Sequence, residues 1–229
     1  MQVVNPLSTG PVLVVAAHPD DEVLGCGGTL ARLAASGIET HVLFMTDGVS
    51  SRPGANDLAA RREAAASAAE IIGLNPPTFN DFPDNALDTV PLIEVVRIVE
   101  AAIERIAPKT VFTHHHGDLN VDHQVAHRAV ITACRPQPGR DVKSILSFSV
   151  RSSSEWCVSE PGSYFRPNLF VDIDSTLERK LEALRAYAME MRKPPHTRSL
   201  EAVESEARVL GHTAGLPAAE GFGVVRIIT

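Results

Sequence analysis

Short apolar runs alternate along this chain with longer stretches of helical spacing, which predicts a repeating strand-helix-strand rhythm. Residues 12–17 are continuously apolar and read as a buried strand. A glycine-opened helix follows over about 25–36, and a second strand over 39–46. Asp57 is placed to cap an alanine-rich helix that ends near Gly73, and 78–82 reads as a short strand. Pro91 suits the first position of a helix running to Pro108, because a first-turn residue has no intrahelical use for its N–H. A strand over 109–113, a helix over about 122–134, a strand over 145–150, a polar loop over 151–166 and a strand over 169–173 continue the pattern. Ser175 with Glu178 matches a capping box. It precedes a helix whose Leu177, Leu181, Leu184 and Ala188 share one face and which Pro194-Pro195 ends. A last helix and a strand near 224–228 close the chain.

This alternation predicts an α/β fold, a mostly parallel sheet with helices on both faces and ligands beyond the carboxyl ends of the strands. The rim then holds two loops, one after the first strand and one after the fourth. The length of 229 residues suits a single domain over 1–229, in which about 151–229 supplies a substrate-rim loop and C-terminal helices.

Composition narrows the function. A net charge of -7 argues against nucleic acid or an anionic membrane as partner, since both are bound by clustered Lys and Arg. Cys26, Cys134 and Cys157 are far apart and form no Cys-x-x-Cys pair, which fits neither a thiolate zinc cluster nor a disulfide framework. With no basic residue in 1–10 and no apolar run long enough to span a bilayer, a cytoplasmic location is expected.

The candidate chemistry sits in the two rim loops. His18-Pro19-Asp20-Asp21-Glu22 crowds an imidazole and three carboxylates against the end of a buried strand. That arrangement costs free energy unless a cation neutralises it. Of the nine histidines, His114, His115, His116, His123 and His127 fall within 14 residues around the second loop. A catalytic divalent ion takes about three N and O ligands and keeps one position open. His18 and Asp21 with His123 supply that number, although His127, one turn further along the same helix face, is not distinguished from His123 by spacing. Asp20 is the leading candidate for a general base, and a second-loop histidine for the acid that protonates a leaving amine. His41, His196 and His212 read as structural. Gly25-Cys26-Gly27-Gly28 invites a dinucleotide-binding reading, but three carboxylates between strand and glycines would repel a pyrophosphate. A non-catalytic sugar- or nucleotide-binding module on the same fold is the alternative to an enzyme.

At these residues the chain closely resembles the PIG-L, or LmbE-like, family of metal-dependent N-acetylglucosaminyl deacetylases. The likeness rests on His18-Pro19-Asp20-Asp21-Glu22 and Asn120-Val121-Asp122-His123. It is supported by Thr46-Asp47-Gly48, Arg61 with Glu63 before Ile72-Gly73, and Phe82-Pro83-Asp84-Asn85. The resemblance implies a Rossmann-like three-layer sandwich with Zn2+, or another divalent transition metal, held by His18, Asp21 and His123. It also implies Asp20 as general base and Arg61 and Asp84 as sugar-binding residues. Many members carry a histidine three residues before the last ligand as proton donor, where this chain has Asn120. His116, oriented by Asp122, is the expected substitute, with His114, His115 and a protonated Asp20 as competitors. The expected activity is removal of an N-acetyl group from an N-acetylhexosamine moiety of a sugar or glycoconjugate. Trp156, Tyr164, Phe165 and Arg166 are candidates for the rim that selects it, and the resemblance is compatible with a homo-oligomer.

Overall fold

The computed structural model describes residue 7 and residues 10–51, 57–139, 141–157 and 162–229. Strands β1 (Val12–Ala16), β2 (Thr40–Thr46), β3 (Thr78–Phe82), β4 (Thr110–His114), β5 (Ser144–Phe148), β6 (Leu169–Asp172) and β7 (Ala219–Ile227) form one sheet in the order β3-β2-β1-β4-β5-β7-β6. The first five are mutually parallel. β7 runs antiparallel to both β5 and β6, so the mostly parallel expectation holds, with a C-terminal antiparallel edge.

Helices α1 (Asp21–Ala35), α2 (Leu58–Ile72) and α5 (Leu177–Ala186) cover one face, with α6 (Leu200–Thr213) packed beside α5 and β7. Helices α3 (Leu92–Ile106) and α4 (Val121–Ala133) cover the other. The period of two along a strand explains the division. Val12, Val14 and Ala16 of β1 enter the core under α1, and Leu13 and Val15 enter the core under α3 and α4. Every residue of β1, β4 and β5 is buried, as expected for parallel strands covered on both sides.

Several boundaries differ from the sequence expectation for local physical reasons. α1 begins at Asp21, ahead of the glycines, because the Asp20 carbonyl accepts the N–H groups of Val23 (3.1 Å) and Leu24 (2.9 Å), while Asp21 and Glu22 complement the positive helix start. The glycines are therefore inside the helix. A Cβ on Gly25 would lie 2.2 Å from the Phe148 ring and one on Gly28 2.8 Å from Ile173, so they serve close packing and form no phosphate cradle. Asp57 caps α2 as expected, accepting from the Ala60 N–H at 2.8 Å. The Ser175/Glu178 capping box does not form: Ser175 is in a 3-10 turn, Thr176 stands at the cap, and α5 ends at Ala186, well before the prolines. The last strand starts at Ala219 because it pairs with both β5 and β6.

The strand order reverses direction between β1 and β4, which are neighbours with Val14 opposite Phe112. The loops leaving their carboxyl ends therefore open onto the same rim, and the site is built there.

Candidate active site and metal centre

The connection from β1 to α1 is residues 17–20, too short to carry its side chains away from the rim. It is sewn to the next strand, where the Ala17 carbonyl accepts both the N–H (3.0 Å) and the hydroxyl (2.9 Å) of Thr46. From the second loop, Asn120 starts α4 by accepting the Asp122 N–H at 2.8 Å, which sets His123 in the first turn with its ring over the same rim.

Three donor atoms converge. His18 Nδ1 lies 3.1 Å from Asp21 Oδ2, and His123 Nε2 lies 3.3 Å from each of them. A tetrahedral ion at normal zinc distances has ligand-to-ligand edges of about 3.4 Å, so this triangle fits one face of such a set. The outer ring nitrogens are committed elsewhere. His18 Nε2 lies 3.0 Å from Asp122 Oδ2 and 3.2 Å from Asp84 Oδ1, and His123 Nδ1 lies 3.1 Å from Asp118 Oδ1. Asp122 draws the His18 ring proton to the outer nitrogen and leaves the inner lone pair facing the cluster, and the Asp118 carboxylate stands at ion-pair distance behind His123, an arrangement that suits histidines as metal ligands. The carboxylates are themselves fixed. Asp122 accepts the N–H groups of Asn85 (2.7 Å) and Leu87 (2.9 Å), and Asp118 accepts the Asn120 N–H (2.9 Å) and the hydroxyls of Ser153 and Ser154.

The electrostatics of the cluster favour positive charge at this point. Burial opposes charge on His123, but Asp21 and Asp118 outweigh it and push its pKa up to about 9. His18 is raised in the same way, burial being overcome first by Asp21 and then by Asp122. Burial likewise raises Asp21, yet His123 and His18 hold its carboxyl well below the usual carboxylate range. A divalent cation bound there would replace those protons with one centred charge.

Asp20 stands beside the triangle in a backbone conformation with φ 123°, which non-glycine residues rarely adopt. Its N–H donates to Glu22 Oε2 at 3.0 Å. Its carboxylate meets Arg198 Nη1 at 3.0 Å and Arg61 Nη2 at 3.9 Å. Burial raises its pKa to about 6 against the opposing pull of Arg198 and Arg61. Glu22 is pushed up to about 8, chiefly by burial, and accepts the Tyr187 hydroxyl at 2.7 Å. Arg61, buried in the first turn of α2, also pairs with Glu190. Gly48 makes room for it: with φ 69°, a Cβ there would lie 3.4 Å from the guanidinium and 3.0 Å from Pro19.

Together these residues line a polar cavity of about 100 Å3 that includes His18, Asp20, Asp21, Arg61, Asp84 and His123. The remaining histidines are placed differently. His114 is the last residue of β4 and is completely buried; it accepts the Ala17 N–H at 2.8 Å, and its pKa is lowered by burial and then by His123. His115 contacts the Ser163 carbonyl at 2.7 Å, and His127 Nδ1 donates to the His114 carbonyl at 2.8 Å. His116 is exposed, with its ring 4.4 Å from His115 and 5.8 Å from His127. It does not line the cavity, and Asp122, expected to orient it, holds His18 instead. Among the described residues the cavity contains no imidazole beyond His18 and His123.

Tyr164 and Phe165 line a neighbouring cavity of about 290 Å3, and Trp156 stacks edge-on with His196; none of them lines the metal cavity. Residues 158–161 of that expected rim lie outside the described residues. Sequence reasoning missed Asp118, Glu190 and Arg198. Asp118 carried a signal, a carboxylate one loop turn before a candidate ligand, whereas Arg198 is 178 residues from Asp20 and carried none.

An α/β sheet with a His-Asp-His donor set at its switch point marks a Rossmann-like protein with a cluster that could hold a metal ion. The family model for GlcNAc-PI de-N-acetylase, PIG-L, matches residues 13–134, and the chain belongs to that family. It is 34% identical over 132 residues to the uncharacterized deacetylase YaiS of Escherichia coli, covering 56% of this chain and 69% of that protein. It is 30% identical over 196 residues to the diacetylchitobiose deacetylase of Thermococcus kodakarensis, covering 77% and 68%. The solved structure of the 4-carboxy-2-hydroxymuconate hydratase GalB from Pseudomonas putida KT2440 superposes with a TM-score of 0.76 at 26% identity over 96% and 98% of the two chains. No helix among the described residues is long and apolar enough to cross a membrane.

Proposed function

We propose that this protein is a zinc-dependent hydrolase that releases acetate from the N-acetylhexosamine moiety of a small sugar or glycoconjugate, working as one catalytic unit over the whole chain in the cytoplasm. The observation that carries the reading is the convergence of His18, Asp21 and His123 to within 3.3 Å, with the Asp20 carboxylate beside them.

A bound divalent ion would supply polarisation of the amide carbonyl and acidification of water. The chain's own residues do the rest. Asp20 takes a proton from the attacking water, and the C–N bond of the tetrahedral adduct then breaks as the nitrogen receives a proton. With His116 exposed and outside the cavity, Asp20 then returns that proton to the nitrogen. Arg61 and Asp84 hold sugar hydroxyls. The Asp84 carboxylate is steadied by Ser51, and its N–H donates to Ser50 Oγ at 3.0 Å.

The test is a mass-spectrometric screen of acetylated sugars and glycoconjugates with zinc supplied, with Asp20→Asn as control. Acetate and a free amine are expected from the wild type. The GalB likeness makes hydration the second reading, so the screen includes a conjugated muconate acid. Its hydration without acetate release from any amide would overturn the proposal, and metal-loaded protein that binds sugars without turnover would favour a binding module.

A further inference from the structure

We infer that Arg198 is a positioning residue for Asp20, supplied by a part of the chain beyond the residues that the family model matches. That match ends at residue 134, whereas Arg198 lies in the segment between α5 and α6. The kinetic part of the inference rests on the deacetylase reading; the structural part does not.

The donor inventory of the guanidinium argues for this role. Arg198 Nη1 lies 3.0 Å from Asp20 Oδ2, while Nε and Nη2 donate to the Arg151 carbonyl at 3.4 Å and 3.2 Å. Glu190 Oε2 stands 3.9 Å from Nη1. Three nitrogens of the planar fork are thus directed at groups of the protein itself, which distinguishes Arg198 from a residue held open for substrate. Its backbone is equally constrained. The Arg198 N–H donates to His196 Nδ1 at 3.0 Å, its carbonyl accepts the Arg192 N–H at 3.1 Å, and the next residue, Ser199, caps α6.

Asp20 needs such a partner. Its strained backbone leaves the carboxylate at the cavity wall between two cations, and Arg61 contacts the opposite oxygen only at 3.9 Å. Arg61 is in turn drawn towards Glu190. The close contact that sets the plane of the base is therefore the one to Arg198. Without it the carboxylate is expected to turn towards Arg61, and a base displaced by about 1 Å loses about 100-fold in rate.

The experiment compares Arg198→Ala and Arg198→Lys with the wild type, after thermal melts and metal analysis show folded, equally loaded proteins. Arg198→Ala is expected to lower kcat about 30- to 100-fold with KM changed less than about threefold, and added guanidinium to restore at least part of the loss. Arg198→Lys, which keeps a charge at that position, is expected to fall between the two and serves as the variant of record should the alanine protein not fold. Crystal structures of the metal-loaded variants provide the arm independent of turnover, with the Asp20 carboxylate rotated towards Arg61 in Arg198→Ala. A raised KM at unchanged kcat, or an Asp20 carboxylate unmoved in the variant structure, would overturn the inference. If the wild type releases no acetate from any substrate, the deacetylase proposal fails while the crystallographic arm still decides the role of Arg198.

Discussion

The loop after β1 and the loop after β4 carry the same kinds of residue and use them in opposite ways. In the first, His18, Asp20 and Asp21 all face one cavity. In the second, five histidines fall between 114 and 127, and His123 is the one of them that does so. The difference is where each residue falls relative to the ends of regular structure. The first loop is so short that its residues have no other place to go. In the second, His114 is still inside the sheet, His115 is buried against the Ser163 carbonyl, His116 is exposed, and His127 is one helical turn too far along. A dense cluster of metal-binding residue types is therefore a weaker indicator than a ligand type at a strand end or in the first turn of a helix.

Substitutions at the two loops can break this comparison. The largest expected effect is that of Asp20→Asn, which should lower turnover by about 100- to 10,000-fold while metal content by elemental analysis stays at the wild-type level. Loss of metal in that variant would show that Asp20 is a ligand. His123→Ala should abolish stoichiometric zinc binding by isothermal titration, and an unchanged affinity would remove the second loop from the centre altogether. Asp118→Asn should weaken zinc binding by about 10- to 100-fold, because the outer partner of His123 then no longer favours the required tautomer.

A fourth prediction concerns pH and the underside of the first loop. The Glu22 pKa is raised to about 8 in the folded protein, above its unfolded value, so the folded state holds the extra proton. Its contribution to stability is complete at acid pH and is lost as pH rises towards 8. Glu22→Gln, which still accepts the Asp20 N–H and still pairs with Tyr187, should flatten that decline. Urea midpoints at pH 5 and pH 8.5 compare the two proteins, and parallel declines would refute the assignment. The smallest effect is expected at the second loop, where His116→Ala should change kcat by less than about twofold, as for an exposed side chain outside the cavity. A large loss there would restore His116 as the acid and require the loop to move in the catalytic state.

Much of the architecture was legible because apolar periodicity and turn chemistry act locally. The parallel core, the cap at Asp57 and the helix stop at Gly73 all follow from neighbours in sequence, as does the siting of both rim loops at strand ends. The errors arose where tertiary contacts compete with local preference. The Ser175/Glu178 pattern was displaced by a 3-10 turn whose Thr176 hydroxyl donates to the Gly28 carbonyl at 2.8 Å. The last strand was lengthened by two partners that no local signal reveals.

By itself the sequence determined the fold class, the family, and the set of residue types from which a metal centre can be assembled, since burial pattern and motif composition are properties of contiguous residues. Only the tertiary structure decided that His18 is held by Asp122, that His123 is backed by Asp118, that His116 lies outside the cavity, and that Arg198 reaches across to Asp20. The three pairings join residues 5 to 178 positions apart. The two distant ones depend on how the segments pack around the sheet, which no spacing along the chain encodes.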